Sequence, residues 1–599
     1  MAGLFVWAPS AGRVELELEL EQETERPGQF SSRPLEPGAG GYFHLPEPAL
    51  AAGTRYRLRL DGGPGLPDPR SGSQPEGVHG PSVVVDHEAF VWSDAAFTPR
   101  SWSDAIVYEI HVGTFTPAGT FRAVLERLDY LVDLGVTHLE LMPVAAFPGQ
   151  HGWGYDGVAL FAPHAAYGTP DDLKRLVDSC HARGLSVLLD VVYNHLGPDG
   201  NYLGHFGPYF TREYATPWGA AVNLDRRGCD GVRRFFCDNA LYWLDCFHFD
   251  GLRLDAVHAF LDRSAQSFLE QLAEEVRALE RRLGRPKLLI AESDLNDPRL
   301  IREREAGGLG LHAQWSDDFH HSLHALLTGE RAGYYADFGR LEDLACALRQ
   351  GFVYAGRYSE YRGRSHGRPL SGVPLERLLG YLQNHDQVGN RALGDRIGQS
   401  LSVEQLELGA ALVLCAPFVP MLFQGEEWNA STPFQYFTDH QDTELAAAVR
   451  AGRQREFAAQ GQVPEAVPDP QAPASFDACR LDWAEQSLPE HRRVLDWYRA
   501  LVQLRQREPA LRSSDVPLVE TVESEAGQGW LQFRRGPLLV VANLSSIAIR
   551  LPLVVGASLL LGSAGASVTE QQLGLPAWGV GILRTTTRGR AEPGARVSV

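Results

Sequence analysis

Charged side chains interrupt apolar runs at several points of this chain, and the run Gly251-Leu252-Arg253-Leu254-Asp255 shows the pattern most clearly. In a strand, alternate residues share a face, so Arg253 and Asp255 point one way while Leu252 and Leu254 point the other. If that strand belongs to a barrel, the leucines pack outward on helices and the charged pair faces the mouth. A guanidinium one repeat from a carboxyl favours the ionised form, which a carboxylate nucleophile requires. A structural Arg–Asp pair at a strand end would show the same spacing, so the rest of the chain must decide. Other apolar runs also end in polar groups: one in Asp190 with Tyr193, Asn194 and His195 behind it, one in Glu292, one in His385 and Asp386, and one in Glu426, Glu427 and Trp428. Singly, each could be a solvated strand end. Gathered at one mouth, three carboxylates suit acid/base work on an uncharged, poorly reactive bond. Glycoside cleavage needs a carboxylate and a carboxylic acid flanking the bond, and it gains from aromatic faces on which sugar rings lie. The run His151-Gly152-Trp153-Gly154-Tyr155-Asp156 offers such faces, as do Trp218 and Trp428. Most tryptophans pack in cores, but flanking glycines make the Trp153–Tyr155 loop poor core material.

The elements that must position these groups follow a strand–helix rhythm. In one unit Thr169 can cap a helix, Pro170 fits its first position, and Asp171 and Asp172 complement the N-terminal dipole. Leu173, Leu176, Val177 and Cys180 then share a face, and Gly184 ends the helix. The strand LSVLLDVV follows, apolar enough to be buried on both sides. Similar runs begin at Ile106 and His138 and recur at 251–255, 287–292, 311–315, 379–385 and 418–424. Helical segments lie between them, including an amphipathic stretch at 121–134 and one opened by Ser402, which can form a capping box with Gln405. Eight strands alternating with helices predict a (β/α)8 TIM barrel, whose active site lies at the C-terminal strand ends. Residues 1–95 read as a small all-β domain, with VELELEL and RYRLRL as half-buried strands, and 512–599 as a second β domain of sandwich type. The barrel takes 96–511, with 461–474 as a proline-rich surface loop and a polar tail from Thr587.

Composition narrows the partners. The chain has 599 residues and a formal net charge of −20, which argues against nucleic acid or an anionic membrane and suits a neutral substrate. The longest apolar run, 408–425, is broken by Pro417 and Pro420 and reads as a helix followed by a buried strand. The start MAGLFVWAPSAG lacks the features of a signal peptide. Seven cysteines without CxxC spacing predict free thiols in a reducing cytoplasm and no zinc site.

The ordered runs DVVYNH (190–195), GLRLDAVH (251–258), AES (291–293) and QNHD (383–386) resemble the four sequence regions of the α-amylase family of glycoside hydrolases. The resemblance spans nearly the whole chain, because an N-terminal immunoglobulin-like, glucan-binding-type domain and a C-terminal β-sandwich also occur there. It implies Asp255 as nucleophile, Glu292 as general acid/base and Asp386 as a third carboxylate gripping sugar hydroxyls. It places Arg253 beside the nucleophile, His195 and His385 on the sugar at the cleavage point, and Tyr155 beneath that sugar. The reaction would pass through a covalent glycosyl–enzyme with retention, which sets the two carboxyls ~5–5.5 Å apart. Asn194 aligns with a position that binds calcium in many α-amylases, but the long acid-lined calcium domain is missing. Neither a metal nor a cofactor is therefore expected.

The opening LFVWAPSAGRVEL and the WGYDG loop resemble the branch of that family acting on branched or modified α-glucans. Asn384-His385-Asp386 departs from the Ser-His-Asp usual in glucan branching enzymes. The runs ESDLNDPR (292–299), QWSDDFHH (314–321) and VYAGRYS (353–359) resemble members that cut the α-1,4 bond beside the terminal trehalose of maltooligosyltrehalose. That is the expected substrate, and branching of α-glucan is the alternative. Asp294 and Asn296, with Trp218 and Glu427, are expected to line the leaving-group pocket, and His258 to face it. Asn296→Ala should then hurt trehalose-ended substrates more than plain maltooligosaccharides.

Overall fold

All eight expected strands close into one parallel barrel in a computed structural model that describes residues 4–20, 30–459, 467–523, 529–553, 556–569 and 571–585. They are β1 (Val107–Ile110), β2 (His138–Leu141), β3 (Ser186–Val191), β4 (Gly251–Leu254), β5 (Leu288–Ala291), β6 (Ala313–Trp315), β7 (Leu378–Tyr381) and β8 (Val419–Phe423), with β8 pairing back to β1. Strand alternation divides the apolar side chains into two cores. Val107, Leu188, Ile290, Trp315, Tyr381 and Met421 fill the barrel, while Leu139, Leu189, Leu252, Leu254 and Leu289 face the helices. Register sets Arg253 beside Asp190 on β3 and Ile290 on β5, so these three share the inner face.

The helices follow their caps. In α1 (Pro170–His181), Thr169 Oγ1 accepts from the Asp172 N–H and Asp172 Oδ2 accepts from the Thr169 N–H. Leu173, Leu176, Val177 and Cys180 are buried beneath it, each contributing about 1.5–3 kcal/mol where a large side chain is wholly enclosed. Gly184, at φ +76°, turns the chain into β3. Ser402 and Gln405 form the expected capping box on α2 (Val403–Cys415), which leads into β8. The stretch 121–134 differs from expectation: it is two helices, Phe121–Leu125 and Leu128–Leu134. The break carries Arg127 onto the Trp483 ring at 4.2 Å, a tertiary contact that periodicity does not register.

Strand-rich sheets flank the barrel. Before it, Val14–Glu19 and Arg55–Leu60 pair antiparallel in a sheet beside a three-stranded one. After it, Leu518–Glu523, Gly529–Arg535, Leu538–Leu544, Val580–Arg584 and Ser558–Gly562 form a five-stranded sheet. Its outer face packs Leu539, Val541 and Leu583 against Leu573 and Leu575 of a second sheet, while Leu531, Phe533 and Val540 join the helix-side core. The tail from Thr587 lies outside the described residues, as do residues 461–466 of the expected loop at 461–474, whose final residues begin the helix Pro473–Asp477. Among the described residues no helix is long and apolar enough to cross a membrane, and all seven cysteines are unpaired.

Candidate active site

Arg253 is the hub at the barrel mouth. It is wholly buried, and its Nη1 donates to Asp190 Oδ1 and Oδ2 (3.0 and 2.8 Å) and to Asp255 Oδ1 (2.7 Å). Nη2 lies 3.8 Å from Glu292 Oε2, and the guanidinium carbon sits 4.3 Å over the Trp315 ring. Burial opposes its charge, but Asp190, Tyr155, Asp255 and Glu292 outweigh that cost and keep it protonated. Asp255 Oδ2 accepts from Asn194 Nδ2 (3.1 Å). Glu292 Oε2 accepts from the Ala256 N–H (2.6 Å), and Ala256 stands at φ +41° just past β4. That left-handed conformation costs roughly 1–2 kcal/mol for a residue with a Cβ.

The two carboxyls that flank Arg253 live in different settings. Burial pushes Glu292 well above the usual carboxyl range; Arg253 opposes this, while Asp255, Asp317 and Asp386 add repulsion. Glu292 is thus held as an acid, whereas Asp255 accepts two hydrogen bonds from donors. Asp190, on the far side of Arg253, is pushed up to about 6 by burial against the pull of the guanidinium.

A second chain of contacts enters from Tyr155. Its hydroxyl donates to Asp190 Oδ2 (2.6 Å) and lies 2.7 Å from His385 Nε2, with the two rings stacked 5.2 Å apart. Burial disfavours a charged His385, but Glu109 and Asp386 override it and raise the imidazole to about 9. Asp386 keeps an open side chain (42% exposed), its N–H donating to Asn384 Oδ1 (2.9 Å) at the turn after β7. His195 is held in place through Nδ1 against Asn194 Oδ1 (2.8 Å) and Nε2 against the Tyr155 carbonyl (3.0 Å), and burial lowers it from the ordinary imidazole value against the pull of Asp255 and Asp156. Trp218, 46% exposed, stacks parallel on His195 at 4.7 Å.

These groups line one cleft of about 590 Å³ that contains Tyr155, His195, Trp218, Asp255, His258, Glu292 and Asp386. Its remaining wall comes from Trp153, Asp156, Ala256, Asn390, Tyr436 and the helix α3 (Thr443–Ala459), which brings Arg453 and Glu456. Nothing in the sequence placed that helix at the mouth. Glu109 and Asp317 were also missed: Glu109 is a carboxyl within an apolar run, the signal that singles out Asp255, whereas Asp317 follows Ser316 and precedes Asp318 in a polar run.

Four expectations need correction. Glu427 is wholly buried and accepts from the Tyr108 and Tyr130 hydroxyls (2.9 and 2.7 Å), so it does not line the cleft. Trp428 is likewise buried, against Tyr130 and Trp483. Gly425, at φ +80°, is the physical reason, turning the chain off the end of β8 and away from the axis. Asn296 is 3% exposed and donates to Asp318 Oδ2 (2.8 Å), which also accepts from the Val353 and Tyr354 N–H groups, so it braces a loop. Trp153, expected outside the core, is 5% exposed, stacks on Phe434 and donates to the Gln435 carbonyl. Gly154 permits this: at φ +101°, a Cβ there would stand 2.2 Å from the Pro143 carbonyl oxygen. Asp294 pairs with Arg362 (2.9 Å); burial opposes its charge, but His258 and Arg362 lower it.

Asn194 does not fit a calcium role, because both ends of its carboxamide are taken by Asp255 and His195. Among the described residues no three His, Cys, Asp or Glu converge to hold a metal ion.

Comparison with known proteins agrees with this geometry. A family profile described as "Alpha amylase, catalytic domain" matches residues 88–207. A Mycobacterium tuberculosis protein named malto-oligosyltrehalose trehalohydrolase is 46% identical, covering 98% of this chain and 99% of its own. One of the same name from Arthrobacter ramosus is 47% identical over 97% and 99%. A crystal structure from Salmonella typhimurium, described as an alpha amylase, superposes with a TM-score of 0.87 at 38% identity and covers 98% of each chain. On its barrel, its ordered motifs and near full-length identity to these relatives, the chain belongs to the malto-oligosyltrehalose trehalohydrolase family of α-amylase-type glycosidases.

Proposed function

We propose that this chain hydrolyses the α-1,4 bond beside the terminal trehalose of maltooligosyltrehalose, with retention, and releases trehalose. Glu292 gives its proton to the glycosidic oxygen while Asp255 attacks the anomeric carbon, so trehalose leaves as a glycosyl–enzyme ester forms. Glu292, now a carboxylate, takes a proton from water, which opens the ester and frees the shortened maltooligosaccharide. Asp386 and His385 grip the hydroxyls of the sugar being cleaved, Tyr155 lies beneath it, and His195 and Trp218 shape its approach. His258 faces the leaving group, with Asp294 behind it. Arg253 holds Asp255 in line and approaches Glu292 from below.

One observation carries the reading: Glu292 is held as an acid by burial on the same cleft wall where Asp255 accepts from Arg253 and Asn194. Two carboxyls with opposed settings are what an acid and a nucleophile need. In this reading the catalytic barrel spans 96–511 between β domains at 1–95 and 512–599, and seven unpaired cysteines support a reducing cytoplasm. The decisive experiment incubates the protein separately with maltopentaose, amylose and maltotriosyltrehalose. Fast trehalose release from the last is expected, lost at least about a thousandfold in Glu292→Gln. New branches without trehalose would favour a branching enzyme instead, and unaltered activity in the variant would mean that the acid lies elsewhere.

A further inference from the structure

Two glutamates, Glu109 on β1 and Glu140 on β2, stand directly opposite each other in register on the inner wall of the barrel. Both are completely buried. Their surroundings differ sharply. Glu109 uses both oxygens on His385: Oε1 lies 2.5 Å from Nδ1, and Oε2 accepts from the His385 N–H (3.1 Å). Neither oxygen of Glu140 has a hydrogen-bond partner among the described residues. A buried carboxylate without a partner is far costlier than a buried neutral acid, so geometry alone sorts the pair into one charged and one uncharged member. We propose that Glu109 is the positioning residue that keeps His385 an imidazolium aimed at the sugar, while Glu140 remains a neutral acid that takes no part.

The contacts around His385 support a charged ring with both N–H groups in use. Nδ1–H donates to Glu109, and Nε2–H donates to the Tyr155 hydroxyl, which passes its own proton toward Asp190. Asp386 approaches Nε2 at 3.5 Å from the turn. Arg253 opposes the charge from β4. The Asp190 and Glu140 carboxyls also feel the ring, and His111 stays neutral beside it because burial lowers it to about 3. The Trp153 and Trp315 rings flank the imidazole at 5.9 and 6.0 Å and bring no charge. Glu109 is therefore the full counter-charge that touches Nδ1. For Glu140, burial and repulsion from Glu109 and Asp190 act together to favour the protonated form.

This inference rests on the functional reading above, and its test separates the two. The full chain carrying Glu292→Gln, in which the acid no longer titrates, is titrated with maltotriosyltrehalose between about pH 5.5 and about pH 9.5, the range in which a histidine raised to about 9 loses its proton. Adding Glu109→Gln should weaken binding about tenfold or more near pH 8 and move the alkaline fall by at least about one pH unit toward acid. Adding Glu140→Gln should change binding by less than about twofold and leave the fall in place. Identical profiles for all three proteins, or a shift with Glu140→Gln alone, would overturn the inference. Failure of the Glu292→Gln parent to bind the probe at any pH would instead count against the functional reading. Two readouts work without substrate and without the Glu109 variant, should that variant not fold. Infrared difference spectra should show Glu140→Gln removing a protonated-carboxyl band at neutral pH, and NMR of labelled histidine should find His385 charged near pH 8. No lost band, or a neutral His385, refutes the assignment.

Discussion

Replacing Arg253 by Met removes one charge from the centre of the mouth while keeping a long apolar stem. The loss is three Nη1 hydrogen bonds of 2.7–3.0 Å to two carboxyls, and the stacking over Trp315. A pair of unit charges about 4 Å apart attracts by about 4 kcal/mol at an effective dielectric of about 20. Desolvation offsets part of that in the intact site, but deleting one partner of a buried pair costs about 3–5 kcal/mol because the other charge is left stranded. The cost also has a pH sign. Asp190 stands at about 6 even with Arg253 pulling it down, so without the guanidinium it must stand higher still. A carboxyl raised above its unfolded value destabilises the fold above its folded pKa, and stability returns as pH falls through that value. The deficit of Arg253→Met against wild type should therefore be greatest near pH 8 and shrink toward about pH 5, where Asp190 is protonated in both proteins. Urea unfolding of both proteins at several pH values, followed by tryptophan fluorescence, measures it. A deficit below about 1 kcal/mol near pH 8, or one that does not vary with pH, would refute the reasoning.

Asn296→Ala should leave Asp318 short of a donor and destabilise the protein by about 1–3 kcal/mol; hydrolysis of trehalose-ended and plain maltooligosaccharides should fall by the same factor, and a selective loss on the former would restore Asn296 to the pocket. Burial raises Glu426 to about 8 and Glu427 to about 7, so the melting temperature should rise as pH falls from about 8 to about 6, and Glu426→Gln with Glu427→Gln should flatten that rise. A wild-type melting temperature that is level or climbs with pH over this range would contradict the assignment.

The barrel was legible because each strand–helix unit is locally consistent. Thr169, Pro170 and Gly184 bound a helix whose buried face repeats every three to four residues, and the same grammar opens α2 at Ser402. The residues at the ends of β3, β4, β5 and β7 were legible for a related reason: Asp190, Asp255, Glu292 and Asp386 stand in or just past strands that are apolar but for Ser186 and Arg253, and for the first three strand alternation fixes where they point. The same logic misled at β8. A single glycine in the left-handed region turns Glu426, Glu427 and Trp428 into a buried layer against Tyr108, Tyr130 and Tyr498, and a run of acids does not encode that turn. Asn296 was misplaced likewise, because a loop side chain takes its role from partners far along the chain, here Asp318 and the backbone at Val353 and Tyr354. The α3 wall is the extreme case: Arg453 reaches the cleft through the Gly389 carbonyl and the Tyr436 ring, contacts that no local pattern announces.

The acidity of Glu292 is better understood from the whole inner wall than from its own neighbours. Glu109, Glu140, Asp190, Asp255 and Glu292 all stand along the inner wall, the first four buried and Glu292 with its side chain 15% exposed to the cleft, and among the described residues Arg253 and His385 are the cations in contact with them. Two cations cannot neutralise five carboxylates in a medium where an unpaired charge costs several kcal/mol. Hydrogen bonds ease part of the shortfall: Tyr155 and Arg253 serve Asp190, and Asn194 serves Asp255. What is left must be met by protons, and they settle where donors are fewest. Glu140 has no hydrogen-bond partner among the described residues. Glu292 has one backbone N–H, with Arg253 no closer than 3.8 Å. The upward displacement of Glu292 is then a consequence of burial together with the charge balance along that wall, and in the proposed mechanism its proton meets the glycosidic oxygen in the cleft. On the proposed mechanism, the general acid is made by burial reinforced by a shortage of cations, with no single residue assigned to raise it.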